Sequence, residues 1–97
     1  MPALALVVLA LAHAFDYASF LALIARHGLA AEANPVVVSL TQEMGLPGLT
    51  LAKVVSVVFA ASLVTVLASR RRNVAILVLV FGIAVGVIGG LSNIAAL

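Results

Sequence analysis

Long apolar runs, each broken by a few isolated polar residues, set the pattern of this chain. The first run, over residues 3–26, is interrupted by His13, Asp16 and Ser19. At ~1.5 Å per residue it is long enough to cross about 30 Å of hydrocarbon as a helix. Arg26, His27 and Gly28 follow. They place cations in a last helical turn and a glycine at the C-cap. His13, Asp16 and Phe20 fall at i, i+3 and i+7, with Ser19 one turn beyond Asp16. This helix therefore carries a polar face that should point at protein and not at lipid.

Residues 29–47 form a connection that is not uniformly polar. Asn34-Pro35 reads as N-cap and first turn of a short helix over 35–44, with Val36, Val37, Leu40 and Met44 apolar and Gly45 as its end. Such a segment is too short to span and is expected to be interfacial or re-entrant. A second span is expected over 48–69, starting at Pro47 and carrying Lys53 near its beginning. Ala52, Ser56 and Ala60 give it a small-residue stripe suited to close helix packing. Arg70-Arg71-Arg72-Asn73 is a basic turn, and a third span over 74–96 has no charge. Gly82, Gly86 and Gly90 make two overlapping G-x-x-x-G motifs there, with Gly89 beside them and Asn93 on about the same face.

Composition turns three apolar helices into a class. The 97 residues are 66% hydrophobic and 8% charged, whereas soluble domains are about 25% charged. The expectation is an all-α integral membrane protein of one domain, with three transmembrane helices plus the short extra helix. A net charge of +2, without a basic stripe or interleaved aromatics, argues against nucleic acid as a partner. The absence of cysteine excludes disulfides, thiolate metal sites and cysteine nucleophiles. No basic residue precedes the first apolar run and Asp16 would interrupt a leader's core, so that run is expected to be retained as a span. Three of the five Lys/Arg residues lie in the turn at 70–72. The positive-inside rule puts that turn and the N-terminus in the cytoplasm of a multi-pass cell-membrane protein, with residues 29–47 and the C-terminus outside.

That topology gathers the polar residues. Asp16 falls near mid-membrane, Lys53 and Asn93 toward the outer ends of their spans, and Glu32 and Asn34 in the outer connection. A lysine near the outer end and an aspartate at mid-depth leave a gap of several ångströms, to be filled by Glu32 or by water. An ionised carboxylate in hydrocarbon costs several kcal/mol unless it is paired or hydrated. The candidate site is therefore Asp16, Glu32, Asn34 and Lys53, with His13, Ser19 and Asn93 around it.

An aspartate with Ser19 three residues on, then Gly28, Glu32, Asn34-Pro35, and Lys53 about twenty residues later, resembles a family of small prokaryotic membrane proteins known as a domain of unknown function. Its pattern is roughly D-x-x-[ST], then G-x-x-x-E-x-N-P, then K. The resemblance covers residues 13–55 and implies that these residues act together; it implies no activity.

Three readings follow. In the first, the outer-half site binds an ion or small polar ligand, with a transport role as a homo-oligomer or within a larger membrane complex. A cation would use Asp16, Glu32 and the Asn34 carbonyl, and His13 would extend this to a transition metal. In the second, the same residues only lock the fold of a structural or accessory subunit. The third and weakest is an enzyme using Asp16 or Glu32 with His13 as acid and base. No H-E-x-x-H, G-x-S-x-G or phosphate loop occurs.

Overall fold

A computed structural model describes residues 3–29 and 34–97. The described residues form three helices, α1 (Ala3–His27), α2 (Pro35–Arg70) and α3 (Arg72–Ala96). Each is long and apolar enough to cross a membrane, which fits a multi-pass membrane protein. Helix α1 ends as its sequence signals require. Gly28 takes φ 80, and its N–H bonds the Ile24 carbonyl at 2.8 Å. Asn34 caps α2, its side-chain oxygen accepting from the Val36 N–H at 3.0 Å, with Pro35 in the first turn.

The separate short helix expected over 35–44 is not found as an element of its own. Those residues are the first part of α2, which continues through Gly45 to Arg70. Gly45 breaks the helical geometry with φ 72 and ψ −179, and Pro47 lies just beyond. Glycine reaches that backbone region without Cβ strain, and proline removes a helical N–H, so the chain bends here and then resumes. The turn and proline signals were genuine; they mark a kink and not a terminus.

The helices run up, down and up, so that α1 and α3 are parallel. Helix α3 packs on both neighbours, and α1 and α2 touch each other least. Leu9 of α1, Val64 of α2, and Ala75 and Leu79 of α3 make the buried core. It lies at the end of the bundle that holds the Arg70–Arg72 turn. Above it α1 and α3 come close together along the glycine side of α3. A Cβ built on Gly86 would lie 2.9 Å from the Ala12 carbonyl carbon, and one on Gly82 would lie 2.9 Å from a Leu9 methyl. On Gly90 it would overlap the Phe15 ring.

Most large apolar side chains point outward, Leu51, Phe59, Leu77 and Phe81 among them. In lipid this outward face needs no cover. Hydroxyls along the exposed part of α2 are satisfied within their own helix: Ser56 donates to the Ala52 carbonyl and Thr65 to that of Ala61, each at 2.8 Å.

Candidate functional site

The polar face of α1 turns into the bundle. His13 and Asp16 are half-buried, and Ser19 and Phe20 are buried. Ser19 Oγ donates back to the Asp16 carbonyl at 2.9 Å. This fixes the turn that presents the Asp16 carboxylate.

Lys53 descends from α2 onto that turn. Its ammonium donates to Asp16 Oδ2 at 3.0 Å and to His13 Nδ1 at 2.9 Å. The other His13 nitrogen, Nε2, donates to the Gly82 carbonyl at 2.9 Å. This assigns the neutral Nε2–H tautomer, with Nδ1 as acceptor. The two charged side chains are each about a quarter exposed, at 26% and 23%. The expected gap between Asp16 and Lys53 is not there, and continuity of α2 explains why. Lys53 is not near the start of its helix. Eighteen residues separate it from Pro35, roughly 27 Å along a helix, and eleven separate Asp16 from His27, about 16 Å. The kinked upper part of α2 takes up the difference, and the two charges meet at one depth.

Helix α3 supplies the third side. Asn93 Nδ2 donates to the Asp16 carbonyl at 3.1 Å, to Ser19 Oγ at 3.1 Å and, more weakly, to Asp16 Oδ1 at 3.3 Å. Gly89 makes room for the carboxylate. A Cβ there would stand 2.6 Å from Asp16 Oδ1 and 2.9 Å from its Cγ, closer than any real contact. The buried side-chain polar atoms of the described residues all have hydrogen-bond partners.

Above this polar floor lies a cavity of about 520 Å³, within the range of small-molecule sites. Asp16, Lys53, Gly89 and Asn93 line its base; Phe20, Leu23, Val37, Leu49 and Val85 line its walls; Asn34 and Ser92 add polar groups. Beside it, Tyr17 and Thr50 form a hydrogen bond between α1 and α2, and Thr50 Oγ1 donates to the Leu46 carbonyl at 2.8 Å, next to the kink.

Of the residues expected at the site, Asp16, Lys53, His13, Ser19 and Asn93 form one connected network, and Asn34 lines the same cavity 18 residues from Asp16 in sequence. Glu32 lies outside the described residues. Of the side chains considered for a metal, His13 has both ring nitrogens engaged and Asp16 is in contact with the Lys53 ammonium. Among the described residues no cluster of three or more His, Cys, Asp or Glu side chains is placed to hold a metal ion. Sequence reasoning missed Gly89, Tyr17, Thr50 and Ser92. Gly89 was adjacent to the motif glycines and four residues from Asn93, which is a usable signal; the Tyr17–Thr50 contact depends on helix rotation and had none. No family model, curated protein or solved structure matches the chain.

Proposed function

We propose that this chain is a small membrane binding module, and that the cavity above Asp16 and Lys53 takes a small polar ligand. One observation carries this reading: a space of about 520 Å³ has apolar walls and an ion pair exposed at its base. Pockets built this way bury an apolar body and orient it through a few fixed polar groups. A bare cation is a poorer occupant, because the Lys53 ammonium already stands 3.0 Å from the carboxylate that would have to hold it. The resemblance across residues 13–55 belongs to the same reading, since four of its positions, Asp16, Ser19, Asn34 and Lys53, join the network or line the cavity. A homo-oligomer or larger membrane complex is the working unit in this proposal, with transport as its role, because three helices alone cannot surround a pathway.

The glycines Gly82, Gly86 and Gly90 act, in this proposal, as the seam between α1 and α3 within one chain. In the stripe on α2, Ala60 packs toward the core while Ser56 is exposed, so any partner helix would meet α2 there. The basic turn at 70–72 and the N-terminus face the cytoplasm, and the cavity end of the bundle faces out. Because the chain has no cysteine, single cysteines at Asn73 and Ser92, probed with a membrane-impermeant thiol reagent on intact cells, test this. Labelling at 73 without labelling at 92 refutes the orientation.

The second reading is a fold lock. It is favoured by the completeness of the network, in which every buried side-chain polar atom described has a partner without any ligand. Native mass spectrometry of protein released from a mild detergent separates the two. A stoichiometric added mass, lost in Val85→Trp, supports the binding reading; that variant fills the cavity and leaves the ion pair in place. Protein that carries no added mass from detergent or from nanodiscs leaves only the lock.

A further inference from the structure

We infer that the cavity's ligand is an organic carboxylate with a compact apolar body, recognised by Lys53; this rests on the binding reading above and names its ligand class. The donor and acceptor balance at the floor points that way. An ammonium has three N–H groups, and Lys53 places two of them, on Asp16 Oδ2 and His13 Nδ1. The acceptors at the floor are engaged as well. Asp16 Oδ2 faces Lys53, and its Oδ1 is met by Asn93 and backed against Gly89. His13 uses one nitrogen as acceptor for Lys53 and the other as donor to Gly82. Asn93 directs its amide hydrogens at Asp16 and Ser19. The strongest donor the floor still offers is the third N–H of the Lys53 ammonium, charged and in a half-buried setting.

A charged donor discriminates strongly for an anionic oxygen. Phe20, Leu23, Leu49 and Val85 then surround the rest of the molecule, so the body next to the carboxylate is apolar. An amine would have to approach Asp16 beside the ammonium already bound to it.

The test uses the full chain in lipid nanodiscs and three probes of matched shape: benzoate, benzylamine and benzyl alcohol. Calorimetric titration is expected to show saturable binding of one benzoate per chain, about tenfold or more tighter than benzyl alcohol. Lys53→Met removes that preference. Val85→Trp removes binding with the network intact, which keeps the test valid if Lys53→Met does not fold. Tighter binding of benzylamine, or equal binding of benzoate and benzyl alcohol, overturns the carboxylate assignment and leaves the cavity as a binding site. Failure of all three probes beside a co-purifying mass does the same. Failure of all three with no such mass overturns the binding reading as well.

Discussion

Gly89→Ala tests whether the Asp16 carboxylate is seated by α3. Two effects oppose each other. Alanine is a better helix former than glycine by up to ~1 kcal/mol. Against this, the new methyl would lie 2.6 Å from Asp16 Oδ1, 2.9 Å from Cγ and 3.1 Å from Oδ2. The carboxylate must retreat by a sizeable fraction of an ångström. Its bonds to Lys53 at 3.0 Å and Asn93 at 3.3 Å cannot both follow. Hydrogen bonds to charged groups contribute about 1.5–3 kcal/mol each in soluble proteins, and interhelical ones in membranes average only ~0.6 with a maximum near ~1.7. Loss of the Lys53 bond and weakening of the Asn93 bond, offset by the gain in propensity, leave a net destabilisation of about 1–2 kcal/mol.

The assay is reversible unfolding in mixed micelles, run as a double-mutant cycle with Asp16→Ala. With the carboxylate removed, the methyl meets no clash, and Gly89→Ala becomes neutral or stabilising by up to ~1 kcal/mol. The expected coupling is therefore about 2 kcal/mol, well above the few tenths that independent sites show. An equal, stabilising effect of Gly89→Ala in both backgrounds refutes the placement of Asp16 against α3.

Three further outcomes follow from the same geometry. Gly86→Val places side-chain atoms against the Ala12 carbonyl, where even a Cβ has only 2.9 Å; backbone cannot move aside, so thermal stability falls by about 1–3 kcal/mol. Gly45→Ala has space, its nearest neighbour being Pro47 Cδ at 3.6 Å, but φ is +72; the cost of roughly 1–3 kcal/mol is backbone strain alone, and a kink lost without any change in melting temperature would contradict it. Thr50→Val removes the partner of Tyr17 at an exposed position; less than ~1 kcal/mol is expected, and a larger loss on unfolding would mean that this bond holds α1 to α2.

The spans and the polar face of α1 were legible because each rests on one helix and one period. His13, Asp16 and Ser19 share a face by spacing, and Asn34-Pro35 is a local capping signal, so both survived folding unchanged. Distance along the helices also carried information: Lys53 and Asn93 were expected in the same half of the bundle as Asp16, and the three residues meet. What failed was the position of Lys53 along its helix. Gly45 and Pro47 are helix breakers in sequence, but two helical stretches can be joined by one kink, and local propensity does not distinguish a bend from an end. The error of thirteen residues in where α2 starts, 48 against 35, became the supposed gap to Asp16. Gly89 and the Tyr17–Thr50 bond were illegible for a related reason, since which side of α3 meets α1 and how α2 is rotated are tertiary facts.

The remaining question is whether an ion pair between apolar helices suits a lock. As a lock it is poor. Helix–helix hydrogen bonds in lipid are weak, replacing a buried pair with apolar residues is often neutral or stabilising by about 1–4 kcal/mol, and α1 is already joined to α3 along the glycine seam. Single substitutions mislead here: Lys53→Met strands Asp16, Asp16→Leu strands Lys53, and each is expected to destabilise by about 3 kcal/mol or more under either reading. The double variant Asp16→Leu/Lys53→Met discriminates. If the pair serves ligand recognition, the double variant recovers most or all of the parent's unfolding stability and loses benzoate. If the pair exists to hold α1 against α2, which otherwise touch least of the three, the double variant stays as unstable as the singles, and the binding reading loses its physical motive.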